Sequence, residues 1–189
     1  MFKESSYIKA AERLNCEICA IIAVSKVESA GAAYDKDGKV KILFESHLFY
    51  RNLQSAKIDT SKVDPSICQP RWNQACREQY NNSQNKRLAL AIKVNEEAAY
   101  RSISMGAFQI LGSHYKALGY KSAKDMYKAY ENDLEIMLDD FVDFCIANNL
   151  DGYLRDKRWS SFAKGYNGPS FKLNQYDTKI ETAYRNCKQ

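Results

Sequence analysis

The segment Ala20-Ile21-Ile22-Ala23-Val24-Ser25-Lys26-Val27-Glu28-Ser29-Ala30-Gly31 places a glutamate at the end of an apolar helix pattern. Its apolar residues recur at near-helical spacing, which predicts a helix with one buried face. Gly31 follows the last of them and can adopt the left-handed conformation that ends many helices. Glu28 is therefore expected in the last turn of a largely buried helix.

An acid in that position has an unusual electrostatic environment. The negative end of the helix dipole disfavours a further negative charge, and burial penalises the charged form of the carboxyl. Both effects raise the pKa of Glu28 and favour a carboxyl that keeps its proton near neutral pH, as a general acid must. The alternative is a solvated glutamate on the polar side of the turn.

Composition and charge limit the class of protein. The chain has 189 residues, of which 45% are hydrophobic and 27% charged, so we expect one globular domain spanning residues 1–189. No apolar run is long enough to span a membrane. The net charge of +5 suits anionic polymers such as bacterial cell wall, but the charges are interspersed, which favours an ordinary solvated surface. We expect no nucleic-acid partner and a monomeric protein.

Six cysteines permit three disulfides with 15 possible pairings, which would need an oxidising compartment. Cys16 and Cys19 have the spacing of a zinc or redox pair. The chain has only two histidines and no second close cysteine pair, so no metal site and no cofactor are expected. One helical turn separates Cys16 from Cys19, and burial in the core explains the pair most simply.

The remaining pattern predicts mostly helix with one small β-hairpin. A first helix is expected from about residue 5 to 30. Asp37-Gly38 is a strong turn signal, and the alternation over residues 39–44 predicts a short strand. Further helices are expected at 46–54, 71–85, 87–99, 122–148, 156–164 and 175–185, with a turn or loop at 165–169. The fold class is therefore α+β and predominantly α-helical.

Three blocks of sequence together resemble the N-acetylmuramidase family of the lysozyme superfamily, which includes phage endolysins and toxins that digest peptidoglycan. The first block runs from residue 23 to 47 and contains Glu28. The second is residues 104–112, and the third is residues 159–169. Each block alone is a common pattern, but in this order they cover nearly the whole chain. One departure is Met105, where a tryptophan is usual in the family.

The resemblance implies a lysozyme-like fold and a peptidoglycan hydrolase. Such an enzyme would cleave the β-1,4 bond between N-acetylmuramic acid and N-acetylglucosamine, with Glu28 as general acid. Its partners would be peptidoglycan glycan strands and, for a toxin, an immunity or inhibitor protein. The alternatives are a lytic transglycosylase, which closes an anhydro ring on the sugar, and a catalytically inactive module that binds cell wall.

Glycoside hydrolysis also needs a base or negative charge opposite the acid. Glu45 follows the predicted strand, which can fold back across the end of the helix, and we favour it over Asp37. Asp37 precedes Gly38, and this pair is also what a tight turn needs. Asp35 is a weaker candidate, and Glu45 is alternatively a buried partner of His47 or of an arginine.

The resemblance also assigns residues to the sugar groove. Gln109 offers a donor and an acceptor to an N-acetyl group, Tyr166 a stacking face and a hydroxyl, and Asn167 a polar contact. Asn167-Gly168 is also an ordinary turn pair. Gly106 belongs to the block that lines the groove in related enzymes, and Ser104 is either an orienting group or a local cap.

The enzyme is expected to act in the bacterial periplasm or cell wall. The first six residues lack the apolar core of a signal peptide, so we expect delivery by phage lysis or by a dedicated secretion system.

Overall fold

The computed structural model describes residues 2–189, and Met1 lies outside the described residues. The described residues form eleven α-helices and three short strands. The helices are α1 Glu4–Leu14, α2 Ile18–Ser29, α3 Ser46–Ser55, α4 Gln74–Glu78, α5 Gln84–Val94, α6 Glu96–Arg101, α7 Ala123–Asn132, α8 Leu134–Ala147, α9 Asp151–Arg155, α10 Trp159–Asn167 and α11 Tyr176–Cys187. The predicted α+β class, dominated by helix, is confirmed.

The strands are β1 Ile42–Phe44, β2 Ile103–Met105 and β3 Ile110–Leu111, and they form one antiparallel sheet in that order. The sequence predicted a single hairpin, whereas β1 pairs with β2 from far along the chain, placing Ile42 opposite Met105. The Asp37-Gly38 turn is present, because Tyr34 and Val40 form an antiparallel bridge around it and Gly38 has a φ of +75°.

The expected helix over residues 5–30 is two helices. Asn15 adopts a left-handed conformation with a φ of 47° and ends α1, and its backbone N–H donates to carbonyls of that helix. Because the chain changes direction there, the apolar stripe is not continuous, and Ile8 is 42% exposed instead of buried. Asparagine tolerates this conformation better than most residues, so the break has a local cause.

The expected helix over residues 122–148 is also two helices. Ser122 caps the first as predicted, since its side chain accepts a hydrogen bond from the backbone of Asp125. Asp133 is extended, with a φ of −144°, and its carboxylate accepts from the Glu135 backbone at 2.9 Å to begin α8. An aspartate able to cap a new helix therefore interrupts the pattern.

Other helix boundaries also differ from the prediction. The helix expected over residues 87–99 is two helices, because Asn95 is extended, with a φ of −162°, and caps α6. Within residues 71–85 the helical parts are the short α4, a 3₁₀ turn at Gln79–Asn81 and the first residues of α5, and α9 was not expected. The turn expected at residues 165–169 begins later, because α10 continues through Asn167 before Gly168 turns with a φ of +81°.

The hydrophobic core forms around α8, as the apolar face of that helix predicts. Phe141 of α8 stacks on Phe108 of the β2–β3 turn, with ring centroids 4.2 Å apart. The α2 and α11 helices pack together, and a disulfide between Cys19 and Cys187 joins them. The sequence suggested that Cys19 is simply buried in the core, whereas the structure shows it in a disulfide. Within residues 2–189, no helix is both long and apolar enough to cross a membrane.

Candidate active site

Glu28 lies in the last turn of α2, as predicted. The residues that end the helix are Ala30, with a φ of 55°, and Gly31, with a φ of 74°. Glu28 is only partly exposed, and burial raises the pKa of its carboxyl from 4.5 to about 7. A carboxyl with that pKa is largely protonated in mildly acidic solution, and it can donate a proton.

Backbone contacts fix the end of α2 against the sheet. The hydroxyl of Ser29 donates to the carbonyl of Ala107 in the β2–β3 turn at 2.7 Å. The ammonium of Lys41 donates to the carbonyl of Ser29 at 2.5 Å, where a cation is favourable because the C-terminus of a helix carries partial negative charge. Both contacts hold the backbone beside Glu28 in place.

Asn167 contacts the candidate acid directly. Its amide Nδ2–H donates to Oε1 of Glu28 at 2.7 Å, and this hydrogen bond lowers the pKa of Glu28 against the larger effect of burial. Its other amide atom, Oδ1, is buried and has no hydrogen-bond partner among the described residues. The sequence predicted a sugar contact at Asn167 and missed its contact with Glu28.

Tyr166 makes several contacts inside the protein, and its role in sugar binding stays a prediction. Its hydroxyl donates to the carbonyl of Phe108 at 2.6 Å, and its ring stacks on Phe162 with centroids 5.2 Å apart. Phe144 packs edge-on against the same ring. The stacking face and the hydroxyl predicted for sugar are thus used inside the core, where they attach α10 to the β2–β3 turn.

Gln109 and Gly106, which lie in the second sequence block (residues 104–112), stabilise the β2–β3 turn. The amide of Gln109 donates to the carbonyl of Gly106 at 2.8 Å and to that of Lys41 at 3.2 Å. Gly106 has a φ of +75°, and a Cβ there would lie 2.7 Å from Sδ of Met137, so only glycine fits. Ser104 is partly buried in β2, opposite Leu111. Roles in sugar binding stay predictions for all three.

Glu45 occupies the position before α3 and has several polar neighbours. The hydroxyl of Tyr80 lies 2.9 Å and 3.1 Å from the two oxygens of its carboxylate. His47 Nδ1 lies 3.4 Å from Oε2 without hydrogen-bond geometry, and burial lowers the pKa of His47, so the imidazole is neutral near pH 7. Burial raises the pKa of Glu45, whereas Tyr80 and then Arg87 oppose that rise.

Arg87 is a buried cation near Glu45. Its guanidinium donates to the carbonyls of Phe44 and Ser66, at 3.0 Å each, and lies over the Phe44 ring. The side chain is only 4% exposed. A buried positive charge close to Glu45 favours the ionised form of that carboxylate.

The charges of both carboxyl groups, Glu28 and Glu45, act on Tyr176. It is the first residue of α11 and is partly buried. Burial raises the pKa of its phenol to about 12, and the charges of Glu28 and of Glu45 both add to the rise. Both carboxylates therefore act electrostatically on the same hydroxyl. Nothing in the sequence singled out Tyr176 among the 13 tyrosines.

Comparison with known proteins identifies the family of the chain. A family model described as Muramidase, N-acetylmuramidase, matches residues 17–188. The chain belongs to the N-acetylmuramidase family. The crystal structure of an endolysin from Burkholderia phage AP3 matches with a TM-score of 0.83 and 34% identity, over 98% of this chain and 70% of that chain. A comparison with curated proteins found no match.

In this muramidase, Asp37 is exposed on its turn. The neighbouring Asp35 organises that turn by accepting hydrogen bonds from the backbone of Asp37 and Lys39 and from the amide of Asn85. Among the described residues, no hydrogen bond or ion pair links the Asp37 carboxylate to Glu28. The environment of Asp37 is that of an ordinary turn residue.

A cavity of about 430 Å³ lies near the other end of α2 in the muramidase, where Cys16 and Arg155 line it. Glu28 is at the opposite end of that helix, so this cavity is not the candidate site. Within residues 2–189, no group of three or more His, Cys, Asp and Glu residues is arranged to hold a metal ion.

Proposed function

We propose that the chain hydrolyses the β-1,4 bond between N-acetylmuramic acid and N-acetylglucosamine in peptidoglycan, with Glu28 as general acid. Membership of the muramidase family supports a glycoside hydrolase that acts on peptidoglycan. The observation that carries the proposal is the Glu28 carboxyl, whose pKa of about 7 lets it hold a proton while it is hydrogen-bonded by Asn167. In the reaction, Glu28 protonates the leaving oxygen of the glycosidic bond.

Glu45 is proposed as the second carboxylate. Tyr80 and Arg87 both favour its ionised form, and Glu45 shares Tyr176 as a neighbour with Glu28. Two carboxyl groups in different environments can divide the acid and base roles at one pH. An ionised Glu45 would act as a nucleophile in a retaining reaction if the two carboxyl groups are about 5 Å apart, or activate a water molecule in an inverting one if they are about 6.5–9.5 Å apart.

The cell wall is proposed as the site of action, and similarity to a phage endolysin supports it. A role in phage lysis and a role as a secreted antibacterial effector both fit this domain, and an effector would need an immunity protein in the producing cell. We propose that the enzyme acts as a monomer, and size-exclusion chromatography with light scattering tests that point.

The experiment that tests the proposal is digestion of purified peptidoglycan by wild-type enzyme and by Glu28→Gln, followed by a reducing-sugar assay and mass spectrometry of the muropeptides. We expect reducing ends from the wild type and none from Glu28→Gln. N-acetylmuramic acid at the new reducing end would identify the bond. Anhydro products would instead indicate a lytic transglycosylase, and an inactive wild type that still sediments with peptidoglycan would indicate a binding module.

A further inference from the structure

Trp72 is the one exposed aromatic residue among residues 2–189, with half of its surface (50%) open to solvent. A single exposed apolar side chain is common on protein surfaces and needs no explanation by itself. Trp72 differs from the other exposed apolar side chains because its indole forms a hydrogen bond to Tyr80, the residue that also bonds to Glu45.

The indole N–H of Trp72 donates to the hydroxyl of Tyr80 at 3.1 Å. That hydroxyl in turn donates to the Glu45 carboxylate, at 2.9 Å from the nearer oxygen. The indole nitrogen is thus two hydrogen bonds from the proposed second carboxylate. A ligand on the Trp72 ring would lie next to the region where the glycosidic bond is cleaved.

The segment that carries Trp72 is attached to the start of α3. The backbone N–H of Gln69 donates to the carbonyl of Ser46 at 3.2 Å, and Ser46 directly follows Glu45. On the other side of Trp72, the hydroxyl of Ser46 lies 3.3 Å from Sγ of the buried Cys76. The ring is therefore held beside Glu45 from both directions along the chain and is preorganised for binding.

The chemistry of the exposed ring indicates what it binds. Because the indole N–H is already donated to Tyr80, the exposed part of the ring offers a ligand an apolar face and no hydrogen-bond donor. A flat apolar face suits the C–H face of a pyranose ring and does not suit a phosphate or a free carboxylate. Met105 of β2 is fully buried and offers no such face.

We propose that Trp72 is a glycan-binding residue, which stacks on a sugar ring of the peptidoglycan strand next to the bond cleaved at Glu28 and Glu45. The inference rests on the proposed function, which supplies the substrate. Tyr80 is then a positioning residue, since its hydroxyl links the sugar-binding ring to the Glu45 carboxylate.

Fluorescence provides a direct binding test, because the chain has two tryptophans and the other, Trp159, is only 8% exposed. The Glu28→Gln variant is titrated with soluble oligosaccharides of alternating N-acetylglucosamine and N-acetylmuramic acid, and acrylamide quenching is measured. We expect saturating oligosaccharide to protect Trp72 from the quencher. The same titration of Glu28→Gln/Trp72→Phe should show almost no change, because buried Trp159 alone remains.

Steady-state kinetics provides a second test on soluble glycan strands. Trp72→Ala should raise KM about tenfold, whereas Trp72→Phe keeps an aromatic face and should stay within about threefold of the wild type. Ile146→Ala, which removes an exposed apolar side chain from α8, is the matched control and should leave KM unchanged. Thermal melts of each variant check that the fold is kept.

Two results would overturn the inference while the proposed function stands. One is unchanged acrylamide quenching of Trp72 when wild-type activity and oligosaccharide binding are intact. The other is a KM of Trp72→Ala equal to that of the wild type or of the Ile146→Ala control. A wild-type protein that neither binds nor cleaves peptidoglycan would instead defeat the proposed function, and the role of Trp72 with it.

Discussion

Glu28 and Glu45 are two partly buried carboxyl groups near one tyrosine, but their surroundings differ. Glu28 has one hydrogen-bond donor, Asn167, and burial raises its pKa to about 7. Glu45 has a phenol donor and a buried guanidinium nearby, both of which oppose the effect of burial on its pKa. Burial raises the pKa of both carboxyl groups, and the comparison shows that Glu45 has more neighbours that favour its ionised form.

The largest expected effect is the loss of kcat when either candidate catalytic carboxyl group, Glu28 or Glu45, is replaced. Glu28→Gln cannot donate a proton and should lower kcat by about 10²–10⁴-fold, the usual contribution of a general acid. Glu45→Gln should also lower kcat strongly, whereas Asp37→Asn should leave it within about twofold, because Asp37 is a turn residue. Reducing-sugar release by the three variants measures this. High activity in Glu45→Gln with loss in Asp37→Asn would reverse the assignment.

The pH profile of kcat/KM should show both acids. Activity needs Glu28 protonated and Glu45 ionised, so the alkaline limb should fall near pH 7 and the acid limb above pH 4.5. In Glu45→Gln the acid limb should disappear from the residual activity. A profile that stays flat from pH 6 to pH 9 would contradict a raised pKa at Glu28.

Asn167→Ala should shift only the alkaline limb of the pH profile of kcat/KM. Its amide lowers the pKa of Glu28, so its removal should raise that pKa and move the alkaline limb to higher pH. We expect kcat to fall by about ten- to a hundredfold as well, since the hydrogen bond to the carboxylate that forms as Glu28 gives up its proton contributes roughly 1.5–3 kcal/mol. The acid limb, which reports Glu45, is the internal control, and a shift of both limbs would mean a general structural change.

The pH dependence of the free energy of unfolding should also report the raised pKa of Glu28. The folded pKa of Glu28 is about 7 against an ordinary 4.5, so the folded state binds the proton more tightly, and stability falls as pH rises from 4.5 to 7. Glu28→Gln removes this loss and should be more stable than the wild type at pH 8 by about 1–3 kcal/mol, but not at pH 4. Urea unfolding at both values measures the difference, and an equal effect at the two values would contradict it.

The smallest expected effect concerns Glu45. Tyr80→Phe removes a hydrogen bond that lowers the pKa of Glu45, so that pKa should rise and the acid limb should move to higher pH. The alkaline limb should stay in place, because Tyr80 has no hydrogen bond to Glu28 among the described residues. The profile of Tyr80→Phe, measured beside that of Asn167→Ala, tests whether each neighbour acts on its own acid.

Sequence patterns predicted the features that depend on local spacing. Glu28 at the end of an apolar helix, the Ser122 cap and the core face of α8 follow from periodicity and capping chemistry. The breaks at Asn15 and Asp133 were missed, although both residue types commonly end or begin helices. In both cases the apolar pattern continues past the polar residue, so one long helix was predicted where there are two.

The surroundings of the carboxyl groups could not be predicted in the same way. Tyr80 is 35 residues from Glu45, and Asn167 is 139 residues from Glu28, so only the tertiary fold brings each pair together. The packing of the Tyr166 ring was not foreseen, because a Tyr-Asn pair that resembles a groove loop is equally compatible with a ring that packs in the core, and its role in sugar binding stays a prediction.

The disulfide between Cys19 and Cys187 ties the start of α2 to the end of α11. The two helices run in opposite directions, so Glu28 and Tyr176 lie at the end of the pair away from the disulfide. The disulfide forms in an oxidising compartment and is reduced in a thiol-rich one. We expect the pairing of α2 with α11, and with it the position of Glu28, to be most rigid where the disulfide is formed.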